Sequence, residues 1–184
     1  MKFEKTPIEG LLIIYPDAFN DERGYFYESF SQKKYIEAGI DLDFVQDNIS
    51  KSKMGVVRGL HYQIGVNAQA KLCQVLKGKV IDVAVDLRFG SPTYGKYVSV
   101  ELSDENHIQF YLPAGFAHGF SVLSDEAVFH YKCSKYYSKP DERCIIFNDP
   151  YLNIDWKIIN PVVSVKDLEA IPFGKIEKDF IYGA

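Results

Sequence analysis

The sequence predicts an all-β fold, a sandwich or a barrel, with one or two short helices. The segment "KVIDVAVDLR" (79–88) alternates with a period of two, so that Val83, Val85 and Leu87 share one face and Asp82 lies on the other. Similar segments follow, each bounded by Gly, Pro, Ser or Asp: "GKYVSVEL", "HIQFYLP", "FSVLS" and "AVFHYKC". Short strands at such regular spacing are typical of β-sandwiches and barrels.

Two segments depart from this pattern and predict the helices. In "SQKKYIEAGI", Ser31 is a suitable N-cap and Gly39 a suitable stop, which predicts a helix over about 32–38. A second short helix is expected after Ser164 in "SVKDLEA". The chain has 184 residues, of which 47% are hydrophobic, without a repeat or a linker, so we expect one domain over 1–184.

Composition excludes several classes of function. A net charge of −4 argues against binding to nucleic acid or to a membrane surface, because those partners need a concentrated positive face. The first residues contain only five consecutive apolar side chains, too few for a signal peptide or a membrane span. Cys73, Cys133 and Cys144 form no CxxC pair, which favours a reduced, cytoplasmic protein without disulfides.

The segment "GVVRGLHYQ" (55–63) reads as a buried strand, yet it carries Arg58 and His61. Strict alternation would place these two side chains on opposite faces. A β-bulge at Gly59 adds one residue to the strand and brings both onto the same face. The alternative is structural: His61 points inward and is merely hydrogen-bonded, while Arg58 lies on a rim.

Three further polar residues lie on predicted strands near this one. Lys71 opens the strand "KLCQVLKG", and His118 lies in a Gly-rich turn, "PAGFAHGF", that opens another. Tyr131 points inward by alternation in "AVFHYKC". The simpler alternatives are a surface histidine in the turn and a tyrosine that only fills the core.

Two polar clusters precede these strands. Gln46, Asp47 and Asn48 in "FVQDNISKS" form either a turn or the polar wall of a pocket. Arg23 and Glu28 in "DERGYFYESF" form either part of a site or a surface ion pair.

A metal centre or a nucleophilic triad finds little support. The position two residues after His61 is Gln63, and the remaining histidines, His107 and His130, lie on different predicted strands. Three nitrogen or oxygen ligands with suitable spacing are therefore hard to assemble. No Gly-x-Ser-x-Gly turn is present either.

Several long motifs together resemble one family. The runs "DERGYFYESF", "FVQDNISKSKMGVVRGLHYQ", "AKLCQVLKGKVIDVAVDLRFGSPTYG", "LPAGFAHGFSVLS", "YKCSKYY" and "NDPYLNIDW" are similar to those of the dTDP-4-dehydrorhamnose 3,5-epimerases, over roughly residues 3–169. The resemblance implies a cupin-like double-stranded β-helix (jelly roll), no metal and no organic cofactor. It also implies a homodimer and a dTDP-linked 4-keto-6-deoxy sugar as substrate.

The resemblance implies roles for four residues. A ketone at C4 acidifies the hydrogens on C3 and C5, so each centre can be inverted by removing a proton and returning one to the other face. By resemblance, His61 is the base and Asp167 orients its ring. Tyr131 is the acid on the opposite side, and Lys71 stabilises the enolate oxygen.

Other matching positions are implied to bind the nucleotide sugar. Arg58 and Arg23 match residues that hold the diphosphate, and Tyr137 matches the aromatic that stacks on thymine. Arg23 and Glu28 are implied to reach the pocket of the partner subunit, with the N-terminal strand crossing over. The remaining implied contacts are Gln46, Asp47, Asn48, His118, Glu142 and Lys166.

Alternatives remain open at this level. Relatives that epimerise only C3 keep the same base and acid, and no residue of this sequence separates the two activities. Lys139 before Pro140 departs from the usual pattern, in the loop that flanks the thymine stack. A metal-dependent cupin enzyme and a non-catalytic nucleotide-sugar-binding module are the hypotheses from other classes.

Overall fold

The computed structural model describes residues 1–183, and strands dominate it. The strands are β1 Lys2–Lys5, β2 Leu12–Tyr15, β3 Ala18–Asp21, β4 Gly24–Tyr27, β5 Gln46–Lys53, β6 Val56–Gln63, β7 Lys71–Lys77, β8 Lys79–Asp86, β9 Arg88–Phe89, β10 Tyr97–Ser103, β11 Gln109–Leu112, β12 Phe116–Val122, β13 Glu126–Cys133, β14 Glu142–Cys144, β15 Val162–Val163 and β16 Phe180–Ile181. The helices are α1 Gln32–Glu37 and α2 Val165–Leu168, and single 3₁₀ turns cover Gly65–Asn67, Lys139–Asp141 and Phe173–Lys175.

Two sheets form the body of the fold. The front sheet has the order β1-β2-β11-β7-β13-β5, and the back sheet has the order β10-β8-β12-β6-β14. Neighbours within both sheets are antiparallel, and β15 adds to β6 in parallel. The predicted jelly roll is confirmed. Strands β3 and β4 form a separate hairpin outside the two sheets.

Side chains from both sheets fill the space between them. Phe110 and Phe129 of the front sheet meet Phe120 and Val122 of the back sheet, and all four are buried. Phe120 and Phe129 stack with their ring centroids 4.2 Å apart. This apolar layer is the core between the two sheets.

Both outer faces of the sandwich are also covered. Helix α1 and its flanking residues place Tyr35 and Ile40 against the front sheet. The segment after β14 places Phe147 and Trp156 against the back sheet. Because this segment then runs back along β6, it delivers β15 and α2 to the edge of the sheet.

The two predicted helices are confirmed. Helix α1 begins after Ser31, whose backbone is extended but whose side chain makes no capping bond, and it ends before Gly39 with a φ of 89°. Helix α2 begins after Ser164, whose Oγ accepts a hydrogen bond from the backbone N–H of Asp167 at 3.2 Å. This cap fixes the position of Asp167 at the start of the helix.

The predicted bulge in β6 is present. His61 pairs with His118 and Arg58 pairs with Phe120, so β6 advances three residues where β12 advances two. Gly59 lies inside the bulge at a φ of 130°, and a Cβ there would lie 2.5 Å from the Cα of Gly119. Only glycine fits this close approach.

Over residues 1–183, no helix has the length and the apolar character needed to cross a membrane.

Candidate active site

A cavity of about 700 Å³ opens between the two sheets, and Phe120 of the apolar layer contributes to its lining. One wall is formed by β5, β7 and β13 of the front sheet, and the other by β6, β12 and β14 of the back sheet. The segment 162–167 closes one side. The volume of the cavity is in the range of ordinary small-molecule sites.

His61 and Asp167 form a hydrogen-bonded pair on the back wall. His61 Nε2 lies 2.9 Å from Oδ1 of Asp167, and Asp167 Oδ2 accepts from the backbone N–H of Gly59 at 3.3 Å. Burial would raise the pKa of Asp167, but the hydrogen bond and charge of His61 hold this pKa below its ordinary value. Asp167 is therefore a carboxylate that fixes the orientation of the ring.

The other ring nitrogen of His61 faces a second carboxylate. Its Nδ1 is buried without a hydrogen bond and lies 3.5 Å from Oε1 of Glu142. Glu142 Oε2 accepts from the hydroxyl of Tyr137 at 2.9 Å and pairs with Nζ of Lys166 at 2.6 Å. Burial would raise the pKa of Glu142, but the bonds from Lys166 and Tyr137 hold it below its ordinary value.

Tyr131 and Lys71 lie on the opposite wall, on β13 and β7. Burial raises the pKa of the Tyr131 hydroxyl to about 12, so the phenol is protonated at neutral pH. Lys71 is buried, with Nζ 3.4 Å from the backbone oxygen of His61 and 5.8 Å from the centroid of the Tyr131 ring. The cavity thus has a histidine–carboxylate pair on one sheet and a phenol with an ammonium group on the other.

His118 occupies a different position from the one predicted. It lies within β12, not in the turn that opens this strand, and it is buried. Its Nε2 is 2.6 Å from Oδ1 of Asp82, a fully buried carboxylate. Burial lowers the pKa of His118 below its ordinary value, although Asp82 opposes this shift. Sequence reasoning did not single out Asp82; a carboxylate among inward-facing positions of a core strand was the available signal.

Polar side chains surround the mouth of the cavity. Arg58 is exposed, and its Nε donates to Oγ of Ser52 at 3.0 Å. Gln46 donates from Nε2 to Oδ1 of Asn48 at 3.1 Å and accepts from the backbone N–H of Tyr137 at 2.9 Å. Because Tyr137 is 52% exposed, its ring is accessible to a bound base.

Three predicted residues do not line this cavity. Asp47 lies on the other face of β5, where it pairs with Lys132 at 2.8 Å, so the polar wall consists of Gln46 and Asn48 without it. Arg23 pairs with Asp21 on the β3–β4 hairpin, and Glu28 pairs with Lys34 at 2.8 Å. Conversely, the cavity includes Gln63, whose Oε1 accepts from Ser138 N at 3.0 Å.

Among residues 1–183, two clusters offer three possible metal ligands each, within 4.8 Å of one another. One consists of His61, Asp167 and Cys144, and the other of Cys73, Asp82 and His118. Burial raises the pKa of the Cys144 thiol to about 12 and that of Cys73 well above its ordinary value, so both thiols are protonated at neutral pH.

Comparison with known proteins identifies the family. The family model for dTDP-4-dehydrorhamnose 3,5-epimerase matches residues 5–175. The chain belongs to the dTDP-4-dehydrorhamnose 3,5-epimerase family. The family expected from the sequence motifs is therefore confirmed. The matched residues, 5–175, include both sheets and the cavity between them.

Individual members of the dTDP-4-dehydrorhamnose 3,5-epimerase family are similar over almost the whole chain. The enzyme of Shigella flexneri is 53% identical over 94% of this chain and 96% of its own length. A solved Legionella pneumophila dTDP-6-deoxy-D-glucose-3,5-epimerase, in complex with dTDP-4-keto-L-rhamnose, is 50% identical with a TM-score of 0.95, covering 100% of this chain and 99% of that one. A dTDP-4-dehydrorhamnose 3-epimerase of Streptomyces niveus is 39% identical, over 93% of this chain and 83% of its own.

Proposed function

We propose that this protein inverts C3 and C5 of dTDP-4-keto-6-deoxy-D-glucose to give dTDP-4-keto-L-rhamnose, without a cofactor. The observation that carries the proposal is the placement of the His61–Asp167 pair on one wall and Tyr131 on the other. Inversion needs a base on one face of the sugar and an acid on the opposite face. A sugar between the two sheets meets both.

His61 is the base in this proposal. The imidazole takes the proton from C3 or C5, and the positive charge that develops on the ring is stabilised by the Asp167 carboxylate, 2.9 Å from Nε2. The electrons of the broken C–H bond move onto the C4 ketone oxygen and form an enolate. The substrate's own ketone is the electron sink.

Tyr131 returns a proton to the opposite face of the carbon. A phenol with a pKa of about 12 is a suitable acid for an enolate, because it keeps its proton until the enolate has formed and then donates it to the enolate carbon. The ammonium group of Lys71 stabilises the enolate oxygen from the same wall. His118, held by Asp82 at 2.6 Å, lines the inner end of this pocket.

The mouth of the cavity binds the nucleotide. The exposed Arg58 guanidinium pairs with the diphosphate, and the Tyr137 ring stacks on thymine. Gln46, Asn48, Glu142 and Lys166 contribute polar contacts along this path.

The active unit is a homodimer in this proposal. The β3–β4 hairpin projects Phe19 and Phe26, which are 67% and 72% exposed, and large apolar side chains exposed together mark an interaction surface. Arg23 and Glu28 on and beside this hairpin then reach the pocket of the partner subunit. The N-terminal strand crosses over to the partner subunit in this proposal. The three free thiols support a reducing compartment, the cytoplasm.

Proton NMR of dTDP-4-keto-6-deoxyglucose with the protein in deuterium oxide tests the reaction. We expect deuterium at both C3 and C5, and trapping by a reductase should give an L-sugar. His61→Ala should incorporate no label while it still binds dTDP. Exchange by His61→Ala at the wild-type rate would refute the assignment of the base.

The same spectra separate the double epimerase from a C3-only enzyme. Label at C3 alone would place the protein with relatives such as the 3-epimerase of Streptomyces niveus, which is 39% identical. We favour the double epimerase because the similarity to 3,5-epimerases is higher, at 53% for the Shigella flexneri enzyme.

A further inference from the structure

We propose that His61, Asp167 and Cys144 form a site for a thiophilic divalent cation, Zn²⁺ or Cd²⁺, whose occupation inhibits the enzyme. His61 and Cys144 are paired residues on neighbouring strands β6 and β14, so their side chains share one face. Asp167 of α2 approaches both. A thiol, an imidazole and a carboxylate together favour these cations over Mg²⁺ or Ca²⁺.

The distances are close to those that a tetrahedral ion requires. Cys144 Sγ lies 3.8 Å from Oδ1 of Asp167, and His61 Nε2 lies 2.9 Å from the same oxygen. Ligand atoms about 2.0–2.3 Å from a tetrahedral zinc ion are roughly 3.3–3.7 Å apart. These two separations each need to change by less than 1 Å, and all three ligand atoms already lie within 4.8 Å of one another; the cavity supplies a water as the fourth ligand.

Glu142 is positioned to support the metal-bound histidine. When a cation takes Nε2, the ring proton moves to Nδ1, which is buried without a hydrogen-bond partner and lies 3.5 Å from Oε1 of Glu142. Nδ1–H then donates to this carboxylate. A ligating histidine usually makes such an outer contact, and its loss costs about 10- to 100-fold in metal affinity.

The binding step balances in charge and protons. The Cys144 thiol loses one proton to solvent, and the ring proton of His61 stays on the ring. One divalent cation then meets one thiolate and one carboxylate, so the site is neutral. The cation occupies the nitrogen that Asp167 otherwise orients, and the histidine can no longer cycle as a base; this inhibition, unlike the binding, rests on the proposed function.

The second cluster, Cys73, Asp82 and His118, is the internal alternative. All three residues are buried between the sheets, and His118 and Asp82 are only 2.6 Å apart. A cation would have to separate this pair inside a packed core. His118 lines the cavity but Cys73 and Asp82 do not, whereas His61 and Asp167 both line it and Cys144 is only partly buried.

Titration with Cd²⁺ in the absence of substrate, followed by thiolate-to-cadmium absorption in the ultraviolet, tests the site. The absorption should appear in wild type, Cys73→Ser and Cys133→Ser, and Cys144→Ser should weaken Cd²⁺ binding by about 100-fold or more. Cys144→Ala provides a second form of the test, and dTDP binding verifies that each variant is folded.

Three results would overturn the proposal: no absorption in wild type, absorption that persists in both Cys144 variants, or absorption that is lost in Cys73→Ser. Glu142→Gln should weaken Cd²⁺ binding by about 10-fold or more through loss of the outer carboxylate. Deuterium exchange that stops with Cd²⁺ and resumes after EDTA then tests inhibition. An inactive protein that still gives the Cys144-dependent absorption would refute the proposed reaction and leave the metal site standing.

Discussion

Replacing Asp167 with Asn isolates the electrostatic contribution of the carboxylate behind His61. The oxygen and the ring nitrogen are 2.9 Å apart. At an effective dielectric constant of about 20, a unit charge pair at this distance interacts by about 6 kcal/mol. An asparagine oxygen still accepts the hydrogen bond, so only part of this energy is lost. We expect the rate of proton abstraction to fall by about 10²- to 10⁴-fold, with dTDP binding unchanged.

The assay is the rate of deuterium incorporation at C3 at saturating substrate, with dTDP affinity measured by calorimetry. Glu142→Gln is the matched control, because Glu142 lies 3.5 Å from the other ring nitrogen and the change likewise exchanges a carboxylate for an amide. It should reduce the rate much less than Asp167→Asn. Equal rates for Asp167→Asn and wild type would refute the reasoning, and so would a larger loss in Glu142→Gln.

Three further predictions concern binding, titration and stability. Arg58→Ala should weaken dTDP binding by about 1.5–3 kcal/mol and reduce its dependence on ionic strength, which calorimetry at two salt concentrations measures; an unchanged affinity would contradict the diphosphate contact. Burial disfavours the phenolate of Tyr131, so the ultraviolet difference between wild type and Tyr131→Phe should titrate near pH 12, and a midpoint at or below the ordinary value of about 10 would contradict it. Asp86 is fully buried; burial would raise its pKa, but its side-chain bonds to Arg88, at 2.8 and 2.9 Å, hold this pKa below its ordinary value. Asp86→Asn should therefore lower the free energy of unfolding by about 3–5 kcal/mol, measured by urea denaturation. The control Glu101→Gln changes an exposed carboxylate and should cost under about 1 kcal/mol. Since the pKa of Asp86 is depressed, this stabilisation is complete above the unfolded value of about 4 and is lost as the pH falls; a difference that grows in acid would contradict the assignment.

Local patterns were sufficient to predict the framework. The alternation in 79–88 correctly separated Val83 and Val85, which pack under the C-terminal segment, from Ala84 between the sheets. Glycine at position 59 correctly indicated the bulge, because only a register change could bring Arg58 and His61 together. Such inferences succeed because side-chain direction along a strand has a period of two.

Contacts across the fold were beyond local reasoning. Gly115 and Gly119 near His118 predict a turn, yet Gly119 serves the close approach of β12 to Gly59, and the strand continues through it. Asp82 gave no sign of its partner, since His118 is 36 residues away. Asp47 shows the opposite problem: three consecutive polar residues cannot all face one cavity from a strand.

The path of the C-terminal segment determines when the active site is completed during synthesis of the chain. Asp167 meets the backbone of β6 at Gly59, 108 residues earlier in the chain. All strands of the two sheets except the short β15 end by Cys144, so during synthesis the sandwich can form while its histidine still lacks a carboxylate. A chain that ends before residue 164 should therefore hold a pocket that is open on one side and chemically silent, and the segment that carries Asp167 would complete it. Catalytic competence is in this sense a late event in the life of the polypeptide, separate in time from the folding of its core.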